Sequence, residues 1–268
     1  MLNDLLERLK DEWIIGLCLP HIVRSLDTSY EKEYSIQTLL ALNFEEKFNF
    51  SSHYYEGLFS FLKNKFIVFG HDIPIDYQPY INSILLYADK NRLNSNIALE
   101  SIDHNNHIRK ALSLIQSIDE HSHRVIHAHM LCLISVKCVR FQSTSIPKML
   151  GAIFLNAEFF KHELDTALSI IHETAHQELF LINMIDSLVE KCSQNEMVYS
   201  SLQKSERPPI GRLHSCHALY RMIKFQGLWN NPVDDLKITL QNTLKTFKKT
   251  SLTNAGRYLI DNIYPTVI

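Results

Sequence analysis

Glycine and proline are scarce in this chain, 7 and 8 in 268 residues. So few breakers and tight turns argue against a sandwich of many short strands and favour long helices. A dominant charge is also missing. With 27 Lys plus Arg against 29 Asp plus Glu, a net charge of -2 and a pI of about 6.7, no strong field exists to gather nucleic acid or an anionic membrane, and neither is expected as a partner. The five cysteines, Cys18, Cys132, Cys138, Cys192 and Cys216, are odd in number and include no CxxC pair. A disulfide framework and a cysteine zinc site are therefore not indicated, and a reducing, cytoplasmic setting is expected. Long apolar runs are absent: Met130 to Val136 falls far short of the ~20 residues a membrane helix needs. The N-terminal MLNDLLERLKDEW carries acids where a signal peptide has a basic region and an unbroken apolar stretch, so no export is expected.

What is present is 46% hydrophobic residues, enough for one sizeable core or two smaller ones. The predicted class is mainly α. Residues 1–120 read as a helical N-terminal layer, with apolar residues at helical spacing in sets such as Leu2, Leu5, Leu6, Leu9 and Ile108, Leu112, Ile115. Polar breaks at Ser51-Ser52, at Gly70 to Pro74 and around Asp103 to Asn106 separate these sets, and no internal repeat points to a solenoid. Residues 121–268 read as an α+β region with a few short strands. Within it, Val125 to Val139 is compatible with a helix, and Ile146 to Asn156, after Ser143-Thr144-Ser145, is the best strand candidate. A long helix is expected from Asp165, which can cap it, with Leu168, Ile171, Ala175, Leu179, Ile182 and Ile185 on one stripe.

That helix carries His172-Glu173-Thr174-Ala175-His176, an HExxH sequence. Residues i and i+4 lie on one helical face about 6 Å apart, so both imidazoles can reach one metal ion. Glu173 stands about 100° from His172 around the axis, close enough to act on a metal-bound water. The competing reading is a pair of core histidines satisfied by other hydrogen bonds. A mononuclear site needs at least one more protein ligand. The metzincin completion fails, because it needs Gly and His where Leu179 and Ile182 stand. The thermolysin-like completion has a candidate glutamate in Glu196, although Ser200 replaces the aspartate expected four residues later. The histidine completion has two candidates, His214 and His217, in GRLHSCH. At this point all three remain open, with His214 the first choice.

The blocks IIHETAHQELF, VYSSLQKSERPPIGRLHSCHALYRM and LTNAGRYLID, taken in that order, resemble the bacterial HExxH peptide β-hydroxylases found with ribosomally synthesised, post-translationally modified peptides. A helical HExxH, a segment of the form RPxxGxxH (Arg207 to His214) and a C-terminal Gly-Arg (Gly256-Arg257) carry the resemblance, which covers about 130 residues from Ser143 onward. It implies iron(II), 2-oxoglutarate and dioxygen as cosubstrates, and hydroxylation of a side-chain β-carbon in a precursor peptide. It also implies His172, His176 and His214 as ligands, an imidazole set that suits iron and zinc alike. An enzyme of that kind needs a cation for the distal carboxylate of 2-oxoglutarate, for which a bidentate arginine is the best match, and Arg257, Arg207 and Arg212 are the candidates.

His121, His123, His127 and His129 read as a histidine-rich wall rather than a second metal site, since no carboxylate or cysteine is interleaved after Glu120. Two further functions compete with the oxygenase: a zinc metallopeptidase with Glu173 as general base, and a non-catalytic helical peptide-binding protein. A peptide substrate fits the strand expected at Ile146 to Asn156, because an edge strand before the metal helix would let an extended peptide add to it by main-chain bonds. The N-terminal layer would then recognise the peptide.

Overall fold

A computed structural model describes Ile67–Phe69, Ala98–Leu99 and most of residues 102–267, the gaps there being 131, 138–140, 146–151, 161, 186 and 201. Most of the expected N-terminal helical layer lies outside the described residues. The elements in chain order are β1 (Ile67–Phe69), β2 (Ala98–Leu99), α1 (Ile102–Ile118), α2 (Glu120–His129), β3 (Cys132–Lys137), β4 (Ser143–Ser145), β5 (Ala152–Asn156), α3 (Glu163–Ile185), β6 (Val198–Ser200), β7 (Ser205–Arg207), α4 (Pro209–Leu228), α5 (Asp234–Lys245) and α6 (Asn254–Ile263). Short 3-10 turns occupy Ala157–Phe159, Lys191–Ser193 and Tyr264–Val267. The described part from α1 onward is mainly helical.

The chain divides into two compact units, Met1–Ile170 and Ile171–Ile268. In the first, α1 buries Ile108, Leu112 and Ile115, the row that the helical spacing predicts, together with Ala111. Its sheet runs β1-β3-β5-β4, with β2 also paired to β3. β1, β3 and β5 are mutually parallel, and β4 and β2 are antiparallel to their neighbours. Parallel strands covered on both faces read as continuous apolar runs, and Leu133, Ile134, Val136, Ile153, Phe154 and Leu155 are all fully buried.

Three expectations change here. Within Val125 to Val139 the described residues divide between the end of α2 and strand β3 (Cys132–Lys137), and Met130 closes the helix in an extended conformation. Ser143-Thr144-Ser145, placed ahead of the expected strand, is itself strand β4. The strand at Ala152–Asn156 is not an edge: β3 flanks it on one side and β4 on the other, so its main-chain groups are already paired and no peptide can add to it. Of the histidine-rich wall, His121 is exposed and His123 half-buried, and residues two apart on α2 point about 200° apart; the side chains of His127 and His129 lie outside the described residues.

The second unit is a cluster of helices. Leu179, Leu213, Cys216, Leu219, Ile223, Leu240, Leu244, Phe247, Leu252 and Ile263, drawn from α3, α4, α5, α6 and the turn before α6, form one buried core. α4 starts where Pro208 and Pro209 dictate: Pro208 is the extended cap and Pro209 the first helical residue, where its missing N–H costs no helical bond. The backbone segment after α3 is sewn to the approach to α6. Glu190 N–H donates to Ser251 O at 3.1 Å, Thr253 N–H to Leu188 O at 3.3 Å, and Val189 bridges Leu252. Gly256 makes that seam possible, since a Cβ there would stand 2.1 Å from Leu188 O. Among the described residues no helix is long and apolar enough to cross a membrane.

Candidate metal site

α3 begins at Glu163, so Asp165 lies inside the first turn, where its charge favours the helix dipole instead of capping the end. Nor is α3 a one-striped helix. Thr166, Ser169, Glu173, Thr174 and Gln177 are buried along with Ile171, Ala175 and Leu179, whereas Ile182, expected on the core stripe, is exposed. A helix buried on more than one side places the HExxH residues in a low-water setting: Glu173 is 4% exposed, and His172 and His176 are half-buried.

The predicted ligands come together. His172 Nε2 and His176 Nε2 are 3.0 Å apart, with the rings edge to face. Two imidazole nitrogens bound side by side to one ion at ~2.1 Å lie roughly 3.0 Å apart at a right angle and 3.4 Å at a tetrahedral one. The pair therefore has the separation a shared ion requires. His214, from the second turn of α4, brings its Nδ1 to 3.1 Å from His176 Nδ1. Phe180, one turn beyond His176, packs on the His214 ring with centroids 4.4 Å apart. On the far side of His172, Nδ1 meets the Met222 sulfur at 3.4 Å.

These contacts define a chain of rings, not a tripod. His176 uses opposite nitrogens for its two neighbours, and among the described residues no group of three or more His, Cys, Asp or Glu side chains forms a ready metal centre. One set of neutral tautomers satisfies the row: His214 Nδ1–H donates to His176 Nδ1, His176 Nε2–H to His172 Nε2, and His172 Nδ1–H to the Met222 thioether. The rings thus meet the requirement that buried polar groups be paired, and the donor set also suits a divalent ion. Binding through all three histidines needs a side-chain rearrangement at His176 or His214 and a shift of the His176 ring proton from Nε2 to Nδ1.

The other candidates are held elsewhere. His217 Nε2 is 3.2 Å from Glu178 Oε2. Glu196 Oε2 accepts from Thr250 Oγ1 at 2.8 Å and lies 3.7 Å from Arg212. Arg212, a candidate cosubstrate cation, is 1% exposed, donates to Thr246 O at 2.7 Å and to Thr250 Oγ1 at 3.3 Å, and lies over the Phe247 ring. Burial lowers its pKa below the ordinary arginine value, against the opposing pull of Glu196 and Cys216. Arg207, at the end of β7, is exposed and bonds Gln203 Oε1 at 3.4 Å. Arg257 donates to Leu252 O and Asn254 Oδ1, each at 2.6 Å. It lines an open cavity of about 400 Å³ with Lys248, Glu190, Phe247 and Tyr264, and none of the three histidines is in that lining. No protein-family model and no curated protein matches this chain. The sequence reading missed Glu178, Arg221 and Met222. Of these, Arg221 and Met222 follow His214 by about two turns of α4, a signal that becomes visible only once His214 is placed on a helix.

Proposed function

We propose that the chain is an iron(II)- and 2-oxoglutarate-dependent oxygenase that hydroxylates a side-chain β-carbon of a ribosomally made precursor peptide. The observation that carries the metal part is the 3.0 Å approach of His172 Nε2 to His176 Nε2, with His214 next in the row. The block order around it, which resembles the HExxH peptide β-hydroxylases, supports the rest. His172, His176 and His214 would hold the ion, which supplies the site where dioxygen and the 2-oxoacid are activated. The residues of the chain orient and exclude. Met222 accepts the Nδ1 proton of His172 and so keeps its Nε2 lone pair available, as a hydrogen-bond partner on the outer nitrogen of a ligand does generally. Phe180 packs against His214 and limits its rotation. Glu173, buried beside the histidines, orients the site and takes no proton from water. Of the three arginines, Arg257 is proposed first for the distal carboxylate on the Gly256-Arg257 block of the resemblance; its guanidinium is held by Leu252 O and Asn254 Oδ1 at a cavity whose lining includes none of the three histidines. Arg207 is second, and Arg212 is committed to the fold.

Anaerobic reconstitution tests the reading. Wild type is expected to bind one iron per chain and to consume 2-oxoglutarate with a mass gain of 16 on the modified peptide, while His172→Ala, His176→Ala and His214→Ala lose metal and keep their helical signal. Arg257→Ala is expected to raise the 2-oxoglutarate concentration for half-maximal turnover with iron retained. Tight zinc with peptide cleavage would establish the peptidase instead, and no stoichiometric metal the binding module.

A further inference from the structure

A carboxylate outside the HExxH motif ties the two ligand-bearing helices together. Glu178 Oε2 is 3.2 Å from His217 Nε2 and 3.4 Å from Arg221 Nε, and the three side chains are 15%, 10% and 12% exposed. Glu178 follows His176 by two residues on α3, and His217 and Arg221 follow His214 by three and seven on α4. Seven residues is close to two full turns, so Arg221 lies on the His214 face of α4. The helices therefore meet at two neighbouring points, the His176–His214 ring pair and the Glu178 carboxylate. His217 Nδ1 is buried with no protein partner, which makes the bond to Glu178 the one hydrogen bond that anchors this ring among the described residues. A charge-assisted bond largely removed from water is also stiffer than a surface pair.

We propose that Glu178 is a positioning residue for the metal site: by gripping His217 and Arg221 it fixes α3 against α4 and so sets the distance from His214 to the HExxH pair. This rests on the metal reading above. Purely apolar packing between the helices would leave them free to slide by fractions of an ångström. A polar anchor at one oxygen sets both the rotation and the height of one helix on the other.

The test is Co(II) titration of metal-free wild type, His172→Ala, Glu178→Gln and Glu178→Ala, followed by visible absorption, with melting temperatures of the same samples. Wild type is expected to bind one equivalent, which His172→Ala abolishes. Glu178→Ala should bind about 10- to 100-fold more weakly with an altered band, the scale of losses from residues that orient ligands. Glu178→Gln keeps an acceptor oxygen in place and should stay within about 3-fold of wild type. Should the alanine variant not fold, Glu178→Asp keeps the charge and shortens the reach, and weaker binding at an unchanged melting temperature supports the proposal. If wild type shows no Co(II) binding that His172→Ala removes, the metal reading fails and this proposal with it. If wild type binds but Glu178→Ala or Glu178→Asp binds equally tightly with the same spectrum, the proposal alone is overturned.

Discussion

Substituting Gly256 by alanine sets helix propensity against packing, and the structure decides the sign. Gly256 is the third residue of α6, and in a helix alanine is favoured over glycine by up to about 1 kcal/mol. On propensity alone the substitution stabilises. The added Cβ, however, would lie 2.1 Å from Leu188 O, 3.0 Å from Leu188 C and 3.2 Å from Leu252 Cβ. Two of these atoms are backbone and cannot turn aside as a flexible side chain can. The first turn of α6 must withdraw by about 1 Å, a displacement on the scale at which overpacking costs roughly 1–3 kcal/mol. Withdrawal also strains the bonds of Thr253 to the carbonyls of Leu188 and Ser187, each worth about 1 kcal/mol. The expected net loss is about 2–4 kcal/mol.

The internal control is Gly227, near the end of α4, where a Cβ would meet nothing within 4 Å. Gly227→Ala should stabilise by about 0.5 kcal/mol, less than mid-helix because the residue is in the last turn. Urea denaturation followed by helical signal measures both. With a slope near 3 kcal/mol per molar, Gly256→Ala should lower the midpoint by roughly 1 M and Gly227→Ala should raise it slightly, with slopes unchanged. A midpoint for Gly256→Ala at or above wild type would refute the close approach of α6 to the segment after α3.

Arg212→Ala should cost about 3 kcal/mol in the same assay, since it removes a buried cation from Thr246 O, Thr250 and Glu196 and leaves a gap over Phe247; a loss under about 1 kcal/mol would mean the guanidinium is not buried as described. Burial pushes the Cys216 thiol well above its ordinary pKa and so suppresses the reactive thiolate, whereas Cys192 is exposed. Peptide mapping after treatment with a thiol reagent at pH 8 should find Cys192 modified and Cys216 intact until urea is added, and early labelling of Cys216 would contradict the packing of α4. Glu173→Gln should retain metal and leave hydroxylation reduced about 10- to 100-fold, without peptide cleavage by the wild type; a loss of several orders of magnitude in a zinc-dependent cleavage would make Glu173 a general base.

The HExxH helix and the pairing of His172 with His176 were legible in the sequence, because a spacing of four residues on a helix fixes a shared face; His214 was one of three candidates beside them, and the fold is what brings its ring to His176. The fate of the charged residues was not. Arg212 and Arg257 look alike in sequence, and only the fold places one under Phe247 and the other at a cavity wall. Strand β5 was found, yet its position in the sheet was invisible, since its two neighbours are β3 earlier in the chain and the short Ser-Thr-Ser strand, three polar residues with no apolar pattern to mark them. The apolar stripe of α3 likewise understated its burial, because Thr166, Thr174 and Gln177 are polar residues in covered positions.

The blocks that carry the family resemblance divide by physical cause. Pro208-Pro209 set where α4 begins, Gly256 permits a backbone approach no other residue allows, and Arg212 holds the turn after α5. Those residues are accounted for by folding alone, and a protein with the same scaffold and different chemistry would need them equally. Gly211 differs from Gly256 here: a Cβ at Gly211 would make only ordinary contacts, 3.7 Å to Pro208 at the nearest, so the structure gives no steric reason for that glycine. His214 differs too, because its hydrogen bond goes to His176 of the same site, beside Phe180. Replacing His214 by leucine should therefore cost no more than the roughly 1–3 kcal/mol of leaving His176 Nδ1 without that bond, while removing metal, the combination that separates a site residue from one the scaffold requires. A large loss of stability in His214→Leu, with metal still bound, would place His214 with the scaffold residues and return the third ligand to His217 or Glu196.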